Sequence, residues 1–443
     1  MGERVSDSLR LSGSDSVRLF TNDREAVFIR RPNRFLIIAG EEDGREDLAC
    51  HCPNPGRLIE FVFPGTRLIL EKRVAGAEVR KGAKNRNTAK TGFTAAGLYY
   101  RSGVVPLFSS RANHAAERLI LRRIIPGLRE LYPEFTLGSS RFDFLCIDAD
   151  GQRHLVEVKA CSLVEYGVAM FPDAPSGRAL KHLEELAVLT REGYRCHVLF
   201  VIVHGKPRVF TPNLHTDPAF AAALSRCGTA EGPAGPASGT SLRDCGGEPG
   251  RVSIHAALLR CDRLGKAVLA RDYIPVDLGH GALAGSDCGN YLVILELPRD
   301  RDITVGSLGT INFEQGWYVY AGSARRNLSR RISRHLRKIR KLKHWHLDYL
   351  TCYAGRIKAF PIFSYRNLEC ELARRLRELG GKAIMGFGSS DCRCGSHLYY
   401  FTEPPMGNRA FVEMLLRFRH VEGLKGPAPG PDQKNGPKKP DPP

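Results

Sequence analysis

Two alternating stretches decide the fold of this chain: Phe142-Asp143-Phe144-Leu145-Cys146-Ile147 and Leu155-Val156-Glu157-Val158-Lys159. Alternation of this kind is typical of β-strands, because successive side chains point to opposite faces of a sheet. Ala149-Asp150-Gly151 lies between them and has the form of a three-residue hairpin loop with glycine in the left-handed position. The sequence therefore predicts a β-hairpin.

The length of this loop sets the register of the hairpin. A three-residue loop pairs Asp148 with Gln152, and counting back along both strands places Asp143 opposite Glu157. Both carboxylates and the amine of Lys159 then lie on one face of the sheet. A two-residue loop would instead place Asp143 on the other face, so the prediction depends on this turn.

Two adjacent carboxylates repel each other unless a cation neutralises them, and Mg²⁺ prefers oxygen ligands of this kind. Asp143 and Glu157 are therefore candidate metal ligands and, together with Lys159, candidate catalytic residues for phosphodiester hydrolysis. The metal would lower the pKa of a bound water, and Lys159 would stabilise the developing charge or position that water. The alternative is a structural hairpin in which Glu157 and Lys159 form a surface ion pair, and spacing alone leaves both interpretations open.

The composition indicates a globular protein with a polyanionic partner. The chain has 443 residues, enough for two or three domains, and 66 Lys and Arg against 47 Asp and Glu give a net charge of +19. Its apolar runs are too short for a membrane span, and its polar N-terminal segment lacks the apolar core of a secretory signal, so we expect a cytoplasmic protein with no membrane partner. The 13 cysteines then predict reduced thiols, and the length of the chain excludes a disulfide-stapled mini-protein.

The basic charge is concentrated in residues 325–343, which contain ten Lys or Arg and no acidic residue. Apolar residues recur there at helical spacing, so the pattern predicts one amphipathic helix with a basic outer surface. The segment has no aromatic residue, which favours contact with DNA phosphates over a membrane surface. The alternative is a basic face that is merely solvated.

DNA is the predicted partner, and the candidate contacts fall in four groups. Arg178, Lys181 and His182 lie at helical spacing, where they would form a phosphate clamp beside the hairpin. The alternative for these three is an ordinary basic helix face. The remaining candidate DNA-binding residues are Arg57; Arg80, Lys81, Lys84 and Arg86; and Arg330, Arg334, Arg337 and Lys338.

Composition also divides the chain into segments. Residues 228–250 and 421–443 are rich in small residues, Pro or Lys and poor in large apolar residues, so we expect both to be flexible. The predicted fold class is α/β (α+β) and multidomain. The predicted order is a flexible N-terminus (1–23), a β-barrel (24–105), an α/β domain (106–278) with the insertion 228–250, a linker (279–287), a small α/β domain (288–420) and a tail (421–443).

Several ordered motifs resemble the sugar fermentation stimulation protein family over about residues 24–278. They are Ser139 to Leu145, Val156 to Leu163, Phe171 to Leu183 and, near the N-terminus, Cys50 to Arg57 with Pro55 where a threonine is usual. The resemblance implies an OB-like barrel followed by a PD-(D/E)xK nuclease-like domain, with Asp143, Glu157 and Lys159 on the nuclease-like motif. It also implies DNA binding and a role in regulating sugar (maltose) metabolism.

A second set of candidate catalytic residues follows the linker: Tyr291, Tyr320, Arg331, His335 and Glu369. Arg331 and His335 are four positions apart on the predicted basic helix, so their side chains point the same way. The set suits hydrolysis, with a tyrosine as base or water-orienting hydroxyl, the arginine on a phosphate and Glu369 holding a metal. Taken singly, each tyrosine also fits an ordinary aromatic of a half-buried sheet, and the glutamate a solvated residue.

Residues 287–401 resemble the GIY-YIG nuclease superfamily, and more closely its branch found fused to endonuclease III-type repair glycosylases. The matching segments are Val319 to Ala324, Arg334 to Leu336, Trp345 to Leu350, Glu369 to Ala373 and Gly388 to Leu398. Asn290 and Ala321 stand where the core pattern has isoleucine, and the two tyrosines lie farther apart than is usual. The resemblance implies a small nuclease-like α/β domain.

Cysteine and histidine cluster in Cys50-His51-Cys52 and in Cys392-Arg393-Cys394 with His397. Neither group has the C-x₂-C pairing of structural zinc sites, and neighbours on a strand point to opposite faces. We therefore expect buried thiols rather than zinc ligands. Mg²⁺ remains the one predicted metal, and no small-molecule cofactor is indicated.

These patterns together predict a DNA-binding protein with two nuclease-like modules. A Mg²⁺-dependent endonuclease acting in DNA processing or repair is the alternative to a non-catalytic DNA-binding regulator. A scaffold for an acidic protein or RNA is the least favoured interpretation.

Overall fold

The computed structural model describes residues 15–41, 47–73, 91–101, 103–232, 250–339 and 342–425. The chain divides into two compact units, Met1–Gly281 and Ala282–Pro443. This division falls inside the segment that the sequence predicts as a linker. Among the helices of the described ranges, none combines the length and the apolar character that crossing a bilayer would need.

A closed five-stranded barrel begins the first unit. Its strands are β2 (Arg24–Asn33), β3 (Leu36–Gly40), β4 (Leu48–His51), β5 (Arg67–Lys72) and β6 (Phe93–Tyr100), preceded by the short β1 (Val17–Arg18). They pair in the order β4-β3-β2-β5-β6, and β6 closes the barrel by pairing with β4. The predicted OB-like barrel is thereby confirmed.

Residues 58–63 (LIEFVF) are mostly apolar, a composition that favours a strand, but they form no strand. Leu58 adopts a left-handed φ of 53°, which a strand does not tolerate. The Phe61 N–H donates to the Leu58 carbonyl at 3.1 Å, so the segment is a turn. Leu58 and Phe61 are nevertheless fully buried, which explains the apolar pattern.

A mixed sheet continues from the barrel through β7, and its central strands β10, β13 and β16 run parallel. The strands are β7 (Gly103–Pro106), β8 (Glu130–Leu137), β9 (Ser140–Ile147), β10 (Arg153–Cys161), β11 (Leu163–Glu165), β12 (Val168–Phe171), β13 (Arg195–Ile202), β14 (Val209–Pro212), β15 (Gly228–Ala230), β16 (Val252–Cys261) and β17 (Lys266–Arg271). The helices are α1 (Arg111–Ala115), a π-helical turn (Ala116–Ile120), α2 (Leu121–Ile124), α3 (Gly177–Leu189) and α4 (Pro218–Cys227).

Helices cover both faces of this sheet. Leu199 and Val201 of β13 pack in the core that also contains α1 and α2 residues, whereas Val198 and Phe200 pack in the core that contains α3 and α4 residues. A strand buried on both faces reads as a continuous apolar run, which is the pattern of this segment. The helical segment that begins at Arg111 ends at Ile124, and β8 begins at Glu130.

The hairpin of β9 and β10 has the predicted register. Leu155 pairs with Leu145 and Val156 with Phe144, while the Asp148 N–H donates to the Gln152 carbonyl at 3.2 Å. Gly151 adopts a φ of +76°, as the three-residue loop requires.

The second unit is built on a five-stranded antiparallel sheet in the order β22-β18-β21-β24-β23, beside a two-stranded ribbon. Its strands are β18 (Gly289–Leu297), β19 (Arg301–Thr304), β20 (Thr310–Phe313), β21 (Gly316–Ala324), β22 (Arg356–Phe363), β23 (Lys382–Ala383) and β24 (Leu398–Phe401). Its helices are α6 (Leu328–Leu336), α7 (His346–Thr351), α8 (Glu369–Glu378) and α9 (Arg409–Arg417), with α5 (Gly281–Ser286) at the boundary between the units. The apolar sides of α8 and α9 pack on one face of the larger sheet.

The predicted single helix over 325–343 is wrong in its length. α6 ends at Leu336, and Ile339 and Leu342, which the pattern assigns to an apolar stripe, are 78% and 89% exposed. The Asp348 carboxylate accepts the backbone N–H groups of His344 and Trp345 at 3.0 and 2.9 Å and begins α7. These contacts fold the chain back and compete with extension of α6.

Candidate functional site

Asp143, Glu157 and Lys159 come together in the first unit. Lys159 Nζ contacts Glu157 Oε1, and the two side chains are 15% and 4% exposed. The Val158 N–H donates to Asp143 Oδ2 at 2.7 Å, which holds the Asp143 carboxylate against β10. The ion pair of the structural alternative therefore forms, but Glu157 is buried and Lys159 is half-buried, so the pair does not lie fully on the surface.

Two residues from helices hold the carboxylates in place. His182 Nδ1 on α3 lies 2.6 Å from Glu157 Oε1, and Asn113 Nδ2 on α1 donates to Asp143 Oδ1 at 2.6 Å. Glu157 Oε2 is buried and has no hydrogen-bond partner in the described part of the chain. Sequence reasoning missed Asn113, because a single amide on a helix carries no pattern of its own.

The environment moves the pKa values of the two carboxyl groups apart. Burial, and next the negative charge of Glu157, raise the pKa of Asp143. Burial also acts to raise the pKa of Glu157, but the hydrogen bond from His182 and the charge of Lys159 outweigh it, and the pKa is lowered. Such a separation is common where two acids share a functional site.

The predicted phosphate clamp on α3 is only partly as expected. Arg178 and Lys181 are exposed, and Lys181 Nζ lies 3.5 Å from Glu185 Oε1 on the next turn. His182 is buried against Glu157, so its predicted contact with phosphate is corrected to a contact with the carboxylate. Arg57 is half-buried, and Arg80, Lys81, Lys84 and Arg86 lie outside the described residues.

Tyr291, Tyr320 and His335 form a second group, in the second unit. β18 and β21 are paired neighbours that place Tyr291 opposite Gly322, so residues distant in sequence lie side by side. Tyr291 Oη lies 3.0 Å from His335 Nε2, and the two tyrosine ring centroids are 6.3 Å apart. Burial raises the pKa of both tyrosines, so they stay protonated, which favours a water-orienting hydroxyl over a base.

Asp348 stands behind this group and was missed as a functional residue, although it lies within a segment that carries the GIY-YIG resemblance. It is fully buried, and its Oδ1 lies 3.6 Å from His335 Nδ1. Arg334 Nη2 donates to Asp348 Oδ2 at 2.7 Å. Arg334, a predicted DNA contact, therefore has an internal carboxylate partner.

Ser323 links the remaining two predicted residues. Its carbonyl accepts a hydrogen bond from Arg331 Nη1 at 2.6 Å, and its hydroxyl donates to Glu369 Oε2. Glu369 Oε1 lies 2.9 Å from His397 Nδ1. Protein groups thus engage both oxygens of the predicted metal ligand Glu369.

The other predicted DNA contacts of the second unit differ in whether protein groups already bind them. Arg330 and Arg337 are exposed on and just after α6. Lys338 Nζ donates to the carbonyls of Ala354 and Gly355 at 2.7 and 3.0 Å. Arg330 and Arg337 are the better placed of these residues to meet a phosphate.

The two cysteine-histidine groups differ. Cys50 and Cys52 are buried thiols, as predicted. Cys392 and Cys394 are only half-buried and lie in a loop rather than a strand, so strand alternation does not separate them. Together with Cys370 and His397 they form one cluster, which the sequence analysis did not anticipate.

Three family models match the chain. Residues 29–105 match the SfsA N-terminal OB domain, and residues 110–231 match the sugar fermentation stimulation protein RE domain. Residues 290–420 match a domain of unknown function, DUF123, which confirms the predicted GIY-YIG-related domain.

Curated relatives and a solved structure are similar to part of the chain. A sugar fermentation stimulation protein homolog from Pyrobaculum neutrophilum is 36% identical over 205 residues, which cover 46% of this chain and 82% of that protein. The homolog from Clostridium botulinum is 36% identical, with 45% and 82% covered. The structure of Pyrococcus furiosus SfsA in complex with Ca²⁺ is 25% identical, with a TM-score of 0.46, and covers 59% of this chain and 99% of that one. Because the curated relatives are 36% identical and 82% of their length is covered, the chain belongs to the sugar fermentation stimulation protein family.

Proposed function

We propose that the protein binds DNA in the cytosol and that its first unit is a Mg²⁺-dependent phosphodiesterase with Asp143, Glu157 and Lys159 as catalytic residues. The observation that carries the proposal is the buried Glu157 Oε2, which lacks a hydrogen-bond partner among the described residues. The negative charge of Glu157 also raises the pKa of the neighbouring Asp143. A buried acceptor of this kind costs free energy unless something binds it, and a divalent cation suits two adjoining carboxylates.

Each residue of the site has a separate role in the proposed reaction. Asp143 and Glu157 would hold Mg²⁺, which when bound supplies Lewis acidity and an acidified water. Asn113 and the Val158 N–H fix the orientation of the Asp143 carboxylate, and His182 fixes that of Glu157. Lys159 contacts Glu157 and carries the positive charge that can stabilise a phosphorane-like oxygen.

Charge supports DNA as the substrate class. The chain carries a net charge of +19, and Arg178 and Lys181 are exposed on the helix that also supplies His182 to the site. His182 contacts Glu157, so these cations lie on the helix that borders the carboxylates. Such cations bind the phosphate backbone without reading sequence. The cysteines of the described ranges are free thiols, in keeping with the cytosol.

The test is cleavage of duplex and single-stranded DNA by the full chain with Mg²⁺ and with a chelator. We expect cleavage that needs the metal and falls by about a hundredfold or more in Glu157→Gln, which keeps the shape of the side chain but removes its charge. Glu184→Gln is the matched control, because Glu184 lies on α3 in an exposed pair with Arg226 at 3.9 Å. Cleavage that persists in Glu157→Gln would reject the proposed site.

A second candidate is a DNA-binding regulator of sugar metabolism that does not cut. It is supported by two contacts at Glu157 Oε1: the amine of Lys159 neutralises the carboxylate without a metal, and His182 Nδ1 lies at hydrogen-bond distance from the same oxygen. This function predicts DNA binding of equal strength with Mg²⁺ and with chelator, and no cleavage under either condition. Loss of the chain should then change transcription of sugar-utilisation genes, whereas unchanged transcripts would remove this candidate.

A further inference from the structure

Four side chains in the second unit converge on one point. They are Cys370, Cys392, Cys394 and His397, and one ligand atom from each lies within 4.8 Å of all the others. Cys370 comes from the first turn of α8, and the other three come from the loop between β23 and β24. Neither site described above uses these thiols.

The spacing of the ligand atoms suits a tetrahedral ion. His397 Nε2 lies 3.4 Å from Cys392 Sγ and 4.0 Å from Cys370 Sγ. A zinc ion with ordinary bond lengths places two sulfur ligands about 3.8 Å apart and a sulfur and a nitrogen about 3.6 Å apart. The cluster therefore needs only small side-chain movements to close around an ion.

We propose that Cys370, Cys392, Cys394 and His397 bind one structural Zn²⁺ ion. Three thiolates and one imidazole are a soft ligand set that selects zinc over Mg²⁺. Four protein ligands fill a tetrahedral site and leave no open position for a substrate, so the role is structural. The proposal does not depend on cleavage of DNA by either unit.

The surroundings of the cluster match those of a zinc site. Glu369 Oε1 lies 2.9 Å from His397 Nδ1, so the carboxylate can hold the ring with Nε2 directed at the sulfurs. The Cys394 N–H donates to Cys392 Sγ at 3.4 Å, a contact that stabilises a thiolate. The other oxygen of Glu369 accepts the Ser323 hydroxyl on β21.

The loop that supplies three of the ligands has little regular structure, so a bound metal would stabilise it. Residues 384–397 contain neither helix nor strand and are held by a few backbone hydrogen bonds. The Gly386 N–H donates to the Gly395 carbonyl at 2.8 Å, and the His397 N–H donates to the Phe387 carbonyl at 2.9 Å. An ion joining this loop to Cys370 would fasten it to α8 and fix Glu369 next to Ser323.

Metal analysis of the full chain, purified under reducing conditions without chelator, tests the proposal. We expect one zinc per chain by mass spectrometry and a first shell of three sulfurs and one nitrogen by X-ray absorption at the zinc edge. Replacement by Co²⁺ should give thiolate charge-transfer absorption and the strong visible bands of a tetrahedral ion. These measurements use the unmodified protein and do not depend on the folding of a variant.

Substitutions then assign the ligands. Cys392→Ser and His397→Gln should each lower the zinc content at least several-fold, while Cys352→Ser should leave it unchanged. Cys352 is a matched control, because it is a half-buried thiol of the same unit whose Sγ lies 3.3 Å from the Asp348 carbonyl. A chain that takes up no zinc, a Cys392–Cys394 disulfide in the reduced preparation, or zinc retained fully in both variants would overturn the proposal.

Discussion

The two candidate sites are assembled in different ways. Asp143, Glu157 and Lys159 lie on two strands joined by a single turn, and their placement follows from the register of that hairpin. Tyr291 and His335 come from a strand and a helix that meet only through tertiary packing. The geometry of the first site should therefore depend mainly on the hairpin, whereas substitutions that replace none of the predicted catalytic residues should disturb the second site.

Asp348→Ala should give the largest effect in the second unit. Asp348 is fully buried and accepts hydrogen bonds from Arg334 and from two backbone N–H groups. Arg334 is 32% exposed and can be solvated, so the cost comes mainly from the lost charge-assisted bond and the two backbone N–H groups, about 2–4 kcal/mol in the free energy of unfolding. Urea unfolding followed by tryptophan fluorescence measures this unit alone, because both tryptophans of the chain, Trp317 and Trp345, lie in it.

The control is Glu403→Ala, which removes an exposed carboxylate of the same unit. It should change the free energy of unfolding by no more than about 0.5 kcal/mol. Equal effects of the two substitutions would show that Asp348 does not organise the second site.

The free energy of unfolding of the first unit should fall in acid, because the buried His204 is neutral in the folded chain. Burial lowers the pKa of His204 to about 4, although the hydrogen bond that His204 Nε2 donates to the Ser162 carbonyl acts to raise it. Because the folded pKa lies below the unfolded value near 6.5, the unfolded chain takes up the proton first. Stability is therefore full above about pH 6.5 and falls as the pH drops toward 4, by about 3 kcal/mol at the lower end.

Hydrogen exchange of peptides from β10 and β13 at pH 7 and 4.5, corrected for the intrinsic rates, measures this loss. His204→Gln, which can keep a donor for the Ser162 carbonyl, should show a smaller difference between the two pH values. His114→Gln, at an exposed position of α1, should behave like the unmodified chain. An undiminished difference in His204→Gln would contradict the assignment.

The sequence predicted the first site better than the second for a physical reason. The hairpin register depends on a loop of three residues, whose conformation is set by Gly151 and needs no knowledge of the rest of the fold. Asn113 and His182 reach the same carboxylates from helices, and such long-range contacts leave no periodic signal. The exposed clamp predicted for His182 was wrong because its helix turns that position toward the sheet.

In the second unit the failures also come from tertiary contacts. Helical spacing over 325–343 predicts one helix, but α6 ends at Leu336, and the buried carboxylate of Asp348 accepts the backbone N–H groups of His344 and Trp345 instead. Strand alternation would point Cys392 away from its neighbours in the sequence, but Cys392 and Cys394 lie in a loop, where that rule does not apply. Only the fold brings Cys370 to them, so a search limited to C-x₂-C spacing misses the cluster.

Gly322→Ala should displace Tyr291 without altering any predicted catalytic residue. A Cβ at this position would lie 2.4 Å from Tyr291 Cζ, and the ring, being fully buried, has little room to move. Overpacking of this kind costs about 1–3 kcal/mol. The free energy of unfolding from tryptophan fluorescence should fall by that amount, and Gly407→Ala, where a Cβ meets no atom within 4 Å, should be neutral. A neutral Gly322→Ala would mean that the Tyr291 position is not set by close packing.

The smallest expected effect is a change in the salt dependence of DNA binding, which indicates the unit that binds DNA. Arg178→Ala with Lys181→Ala removes two exposed charges from the first unit, and Arg330→Ala with Arg337→Ala removes two from the second. Each phosphate contact contributes about 0.9 to the slope of log affinity against log salt, so losing two contacts lowers that slope by about two. Fluorescence anisotropy of labelled duplex DNA over a range of salt measures the slope for each double variant.

We expect the larger decrease for the first pair, because Arg178 and Lys181 flank His182 on α3, and His182 contacts Glu157 directly. In the second unit, Arg334 and Lys338 are engaged by Asp348 and by backbone carbonyls, which leaves fewer cations of that surface for phosphate. The two double variants change the net charge equally, so bulk attraction alone predicts equal slopes. Equal slopes would therefore contradict DNA binding across the site of Asp143 and Glu157. A larger decrease for the second pair would indicate that DNA binds beside Tyr291 and His335 instead.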